Sequence, residues 1–257
     1  MQIGPYELDR VYQGDCLELM KQLPDKSIDL IVTSPPYDNL RDYKGYSFNF
    51  EGIAKELFRV CDDGGVLVWV VRDGTVEGGE TGTSFKQTLY FKEIGFNLHD
   101  TMIYKKSNYP PLTHNRYEQC FEYMFIFSKG KPKTFKPIMV ESKHKGRIPS
   151  GSFYHSKSQQ MPTPANSNGG MKENKIKENF WEYVVGGKKY GHPAPFPEQL
   201  AKDHIISWSN EGDIILDPFA GSGTVGKMAK QLNRNYILIE KEPEYIKIIN
   251  ERLGLSS

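Results

Sequence analysis

The sequence of 257 residues is short of cysteine, of net charge and of long apolar runs. Its three cysteines, Cys16, Cys61 and Cys120, lie far apart and form no C-x-x-C pair, so neither a disulfide framework nor a zinc site is suggested. No apolar run approaches the roughly 20 residues that a membrane span needs. The start, Met1-Gln2-Ile3-Gly4-Pro5-Tyr6-Glu7, carries no apolar signal region, which makes the cytoplasm the expected compartment. There are no internal repeats. A formal net charge of +1 conceals a division: residues 129–190 hold twelve Lys and one Arg against four Glu, a net of +9, leaving −8 on the remainder. A basic segment therefore interrupts an acidic chain.

What is present is ordinary for a globular protein, with 38% apolar and 25% charged residues. The length suits one α/β domain with an insertion, or one and a half domains. Short apolar runs predict strands at 29–32, 66–71, 99–105, 121–127, 214–217 and 236–239. The 99–105 and 121–127 strands are expected to pair antiparallel at one edge. Apolar residues at helical spacing predict helices through Leu17, Met20 and Leu23, through Ile53 and Leu57, through Phe85 and Leu89 with Ser84 as cap, and through Leu200, Ile205 and Trp208. Further helices follow from Val225, Met228 and Leu232, and from Ile246, Ile249 and Leu253. Asp62-Asp63-Gly64-Gly65 reads as a turn, and 38–50, with four aromatics, as an irregular loop near the site. Strands and helices alternate at both ends of the chain, which implies one continuous, mostly parallel sheet with helices on both faces.

Two stretches carry chemistry. Thr33-Ser34-Pro35-Pro36-Tyr37 follows the first strand, and its prolines force a turn at the strand's carboxyl end, where open α/β sheets place their ligands. Gly221-Ser222-Gly223-Thr224-Val225-Gly226 fits G-x-G-x-x-G between a strand and a helix, with Glu240 ending the next strand. That pattern alone also suits a nicotinamide-dependent oxidoreductase. Asp217, at the head of the turn, speaks against it: a carboxylate there opposes a pyrophosphate and suits the ammonium and sulfonium of S-adenosylmethionine.

Asp217-Pro218-Phe219-Ala220-Gly221-Ser222-Gly223-Thr224, together with Ser34-Pro35-Pro36-Tyr37, resembles the exocyclic-amine DNA methyltransferases. The order (catalytic motif, variable segment, His192-Pro193-Ala194-Pro195-Phe196-Pro197, glycine turn) resembles the beta class of that family. The resemblance covers nearly the whole chain outside about 129–190. It implies a Rossmann-like, circularly permuted fold, with 1–128 as the catalytic half, 129–190 as a DNA-recognition insertion and 191–257 as the cofactor half. It implies that Phe219, Gly221, Gly223 and Thr224 cradle the methionine part of S-adenosylmethionine beside Asp217 and Pro218, that Glu240 holds the ribose, that Asp15 and Cys16 contact the adenine, and that Phe196 and Pro197 close the pocket.

The resemblance further implies direct methyl transfer to an amine of double-stranded DNA, with Ser34, Pro35, Pro36 and Tyr37 as the acceptor site. None of the cysteines follows a proline, as the nucleophile for C5-cytosine methylation typically does. No metal and no covalent enzyme intermediate are expected. Adenine enzymes of the family more often carry Asp-Pro-Pro-Tyr, so Ser34 points to N4 of cytosine, with N6 of adenine as the alternative. Restriction-modification context leaves room for a cognate endonuclease as partner, and for a homodimer.

Overall fold

The computed structural model describes residues 1–36, 48–109, 116–143, 173–185 and 197–255. Tyr37 and Phe196 of the expected site lie outside the described residues. In chain order the elements are β1 (Gln2–Ile3), β2 (Tyr6–Glu7), β3 (Arg10–Gln13), α1 (Cys16–Met20), β4 (Ile28–Thr33), α2 (Phe50–Val60), β5 (Cys61–Val71), β6 (Thr75–Val76), β7 (Gly79–Glu80), α3 (Thr83–Glu93), β8 (Asn97–Lys106) and β9 (Phe121–Ser128). They continue with β10 (Met139–Glu141), β11 (Asn174–Ile176), β12 (Phe180–Tyr183), α4 (Glu198–Trp208), β13 (Ile214–Asp217), α5 (Thr224–Gln231), β14 (Asn235–Glu240) and α6 (Pro243–Leu253). Among the described residues no helix is long and apolar enough to cross a membrane.

The main body comprises residues 1–136 and 179–257. Its eight-stranded sheet has the order β12-β8-β9-β5-β4-β13-β14-β3. The run from β5 through β4, β13 and β14 to β3 is parallel throughout. The antiparallel pairing of β8 with β9 is as the apolar runs predict, but the pair is not the edge: β12 adds a parallel strand outside β8. Phe180–Tyr183 lies in the basic stretch, where its alternation is hidden among polar residues. The second compact unit is accordingly narrower than 129–190. It spans Pro137–Glu178, and its described part includes the antiparallel pair β10 and β11.

Two local expectations change for physical reasons. The turn expected at 62–65 is the beginning of the long strand β5. Gly64 takes φ 77°, a backbone conformation that glycine adopts without penalty, and its N–H reaches the Lys129 carbonyl at 2.6 Å. Ser84 does not cap α3: Gly82 holds the cap position, while the Ser84 backbone N–H donates to Asp73 at 2.9 Å and its hydroxyl also donates to that carboxylate. Asp73 follows the carboxyl end of β5, so the bond ties α3 to the sheet edge rather than satisfying the helix from within.

The core on one sheet face is aromatic. Trp69 of β5 is fully buried, with its indole N–H donating to Gln87 at 2.9 Å. Phe91 lies 5.1 Å from the Trp69 ring centre, 5.2 Å from Phe50 and 4.9 Å from Phe127. Edge-to-face contacts of this kind add to the area each ring removes from water. Phe91→Ala should cost about 3–5 kcal/mol, because rings on several sides cannot collapse into the space. Urea unfolding of the ligand-free protein measures it, and a loss below about 1 kcal/mol would contradict this account of the core.

Candidate active site

The parallel strands β3, β4, β13 and β14 present their carboxyl ends at one edge. From β4 the chain passes through α2 to β5 on one side, and from β13 it passes through α5 to β14 on the other. The crevice between β4 and β13 is therefore the point where the strand order reverses, the place where such sheets bind ligands. Leu216 pairs with Ile31, so Thr33 and Asp217 end their strands side by side. The buried Thr33 hydroxyl donates to Asp217 Oδ1 at 2.7 Å. Immediately beyond it, Ser34 and Pro36 are half-buried and Pro35 is buried.

Asp217 also accepts the backbone N–H of Phe219 at 3.1 Å, which bends the chain into the glycine turn. Pro218 is buried within that bend. The turn is held from the next strand as well: Ala220 N–H donates to the Ile239 carbonyl at 2.9 Å, and Gly221 N–H donates to Glu240 at 2.7 Å. Gly221 and Gly223 adopt φ of 53° and 75°. A Cβ on Gly223 would also lie 3.0 Å from Ile249, and one on Gly226 would lie 2.6 Å from Leu238. The last two glycines thus serve close packing, while the first two shape the turn that opens α5 at Thr224. The half-buried Phe219 ring lies 5.8 Å from Phe48 and 6.4 Å from Trp69.

Glu240 ends β14 opposite Gln13 of β3, and Gly14 N–H donates to the Glu240 carbonyl at 3.0 Å. This brings Asp15 and Cys16 to the same edge. Asp15 caps α1 by accepting from Leu17 N–H at 3.0 Å. Cys16 is buried in the core cluster, and burial pushes its thiol up to about 12, so it is a small apolar neighbour rather than a nucleophile. Pro197 is buried and forms the cap of α4.

Two carboxylates dominate the electrostatics. Burial, with a smaller contribution from the Glu240 charge, pushes Asp217 up to about 7, against the hydrogen bonds from Thr33 and Phe219. Glu240 is also raised, chiefly by burial, although the N–H groups of Glu242, Gly221 and Lys241 favour its charge. Among the described residues no Lys or Arg side chain pairs with either group. An ionised Asp217 in this place repels a pyrophosphate, whereas a cationic ligand beside it favours the ionised form. The acceptor groups present fit S-adenosylmethionine, and Asp217 opposes a dinucleotide.

A profile of the DNA methylase family that unites N6 and N4 enzymes matches residues 28–251. The chain belongs to this exocyclic-amine DNA methyltransferase family. It is 52% identical over 247 residues to the orphan methyltransferase M.BamHII of Bacillus amyloliquefaciens, covering 91% of this chain and 92% of that one. The solved M1.HpyAVI–SAM complex is similar at a TM-score of 0.65 and 25% identity, over 96% of this chain and 99% of that one. The PvuII cytosine-N4-specific DNA methyltransferase shares the fold at a TM-score of 0.67 and 22% identity, over 96% and 93% of the two chains. This DNA methyltransferase uses S-adenosylmethionine as its cofactor.

Thr33 and Phe48 border the candidate site, and neither is among the residues that the sequence assigned a role in it. A threonine ending an apolar strand is the signal that was available for the first, because a buried hydroxyl needs a partner. Phe48 was legible only as one of four aromatics in a loop near the site; the tertiary structure sets it against Phe219.

The state of Asp217 gives a pH test. Its value rises from 3.8 in the free group to about 7 on folding, so between these values the folded methyltransferase keeps a proton that the unfolded chain has released. The stability contributed by this group is fully present below about pH 4 and is lost as pH rises through about 7. Asp217→Asn should flatten that decline when ligand-free protein is unfolded in urea across the window. An unchanged slope would show that Asp217 titrates normally.

Proposed function

We propose that the enzyme transfers a methyl group from S-adenosylmethionine to the N4 amine of a cytosine flipped out of double-stranded DNA. The observation that carries this reading is the Thr33–Asp217 hydrogen bond, which sets the uncharged Ser34 beside the head of the glycine turn. Phe219, Gly221, Gly223 and Thr224 cradle the methionine part of the cofactor, with Asp217 and Pro218 framing the turn. Glu240 binds the ribose through the Oε2 lone pair that its three backbone donors leave free. Asp15 and Cys16 border the adenine, and Phe196 and Pro197 close the pocket.

When bound, S-adenosylmethionine supplies an electrophilic methyl on sulfonium sulfur. The exocyclic amine is a poor nucleophile while its lone pair is delocalised into the ring. The Ser34 hydroxyl oxygen and the Pro35 carbonyl accept hydrogen bonds from the amino group and favour a more tetrahedral nitrogen, whose lone pair then points at the methyl. As the N–C bond forms and the C–S bond breaks, the surplus amine proton leaves along these hydrogen bonds toward solvent. Positioning supplies most of the rate. A paired amine is out of reach inside the duplex, so the base is flipped, and Tyr37 stacks on it with Pro36 shaping the loop. An Asp in place of Ser34 is the commoner choice in adenine enzymes, which is what favours cytosine.

Residues 129–190 serve as the DNA-recognition insertion, their +9 charge matching a phosphate backbone. The orphan designation of the M.BamHII relative supports action without a cognate endonuclease.

Ser34→Ala should lower turnover by about a hundredfold, as expected when a transition state is deprived of one preorganised hydrogen bond. Cofactor affinity should stay within about twofold. The label in digested, methylated DNA decides the base: N4-methylcytosine supports the proposal, and N6-methyladenine overturns the choice of cytosine. Replacing Lys143, Lys145, Lys157 and Lys172 by Gln should reduce the salt slope of DNA binding by roughly 0.9 for each phosphate that is no longer neutralised. A mutant with the wild-type slope would put the DNA surface elsewhere.

A further inference from the structure

The last helix carries a cation that reaches the inner wall of the glycine turn. Arg252 of α6 has a side chain only 7% exposed, although it is an arginine near a helix terminus. Its Nη1 donates to the Ser222 carbonyl, to the Ser222 hydroxyl at 3.0 Å and to the Thr224 hydroxyl at 3.3 Å. Its Nη2 donates to Glu198 Oε1 at 2.8 Å. The same Glu198 oxygen accepts from Lys227 of α5 at 2.6 Å. Glu198 is the first residue of α4, directly after Pro197.

One planar group thus ties the glycine turn to the start of α4. These two pieces of chain are separate in sequence, and each carries cofactor residues in the reading above. The turn's left-handed glycines leave its backbone freer to move than ordinary residues would, so its shape depends on outside restraint. A guanidinium has the rigid, forked set of donors needed to hold a carbonyl, two hydroxyls and a carboxylate at once, and a Lys ammonium lacks that geometry. The hydrogen bonds of Nη1 and Nη2 offset the burial of the charge, and Glu198 supplies the counter-charge.

We propose that Arg252, braced by Glu198, is a positioning residue that holds the glycine turn in its cofactor-binding shape. This rests on the reading that the turn binds S-adenosylmethionine. Arg252 acts through Ser222 and Thr224. Its removal leaves the chemical step intact and raises the cost of ordering the turn when the cofactor binds.

The test is calorimetric titration of S-adenosylmethionine into the full-length protein, alongside steady-state kinetics. Arg252→Met should weaken cofactor binding by about 10–100-fold, the scale of a charged hydrogen-bond cluster. The KM for cofactor should rise by the same factor, while kcat at saturating cofactor and the KM for DNA stay within about threefold. A merely structural role would lower the melting temperature without that split. Arg252→Lys should recover only part of the affinity. Glu198→Gln should weaken binding by about 3–10-fold, and the double variant should match Arg252→Met alone, since the two belong to one clamp. Wild-type affinity in Arg252→Met overturns the proposal. Should that variant not fold, wild-type affinity in Glu198→Gln overturns it instead. Gly223→Ala separates the underlying reading: if it too binds cofactor normally, the turn is not the cofactor site, whereas weakened binding there beside normal binding in Arg252→Met refutes the clamp alone.

Discussion

A single buried hydrogen bond, from the Thr33 hydroxyl to Asp217, joins the two motifs of this methyltransferase. The residues are 184 positions apart in the chain, yet they end neighbouring parallel strands. Ser34 and the prolines leave β4 on one side of this junction, and the glycine turn leaves β13 on the other. The bond also bears on a charge. It lowers the cost of an ionised Asp217, yet burial and the nearby Glu240 outweigh it.

The sheet makes this junction rigid. Trp69 of β5 stands next to Thr33 in the pairing of β4 with β5, and its ring contacts the ring of Phe219 in the turn. The aromatic core thus reaches from the middle of the sheet to the glycine turn. Packing that cannot shift by much holds Ser34-Pro35-Pro36 and the turn in a fixed relation, which the direct methyl transfer proposed above requires.

Much of this was readable in the chain. Buried parallel strands appear as continuous apolar runs, and 29–32, 66–71, 214–217 and 236–239 all fall within strands. The G-x-G-x-x-G turn was legible because its glycines answer local demands: left-handed backbone at Gly221 and Gly223, and close approach to Leu238 at Gly226. Strand β3 and strand β12 were not legible. Arg10–Gln13 and Phe180–Tyr183 are four-residue edge strands with polar positions, and they are strands because a neighbour supplies the ladder. Ser84 misled for a related reason: its local capping ability was real, but Asp73 offered a tertiary partner.

The sequence by itself determined the class of chemistry through a family resemblance, carried by Ser-Pro-Pro-Tyr after an apolar run and by a glycine turn headed by a carboxylate. These depend on local backbone geometry and on charge, which neighbouring residues in the chain dictate. The tertiary structure alone decided which groups meet. Thr33 beside Asp217, Phe48 against Phe219, and Arg252 within the glycine turn are contacts between separate segments of the chain, and no periodicity or motif encodes them. They exist because parallel strands align their carboxyl ends at one edge, and because a buried hydroxyl, carboxylate or guanidinium persists there only when another segment satisfies it.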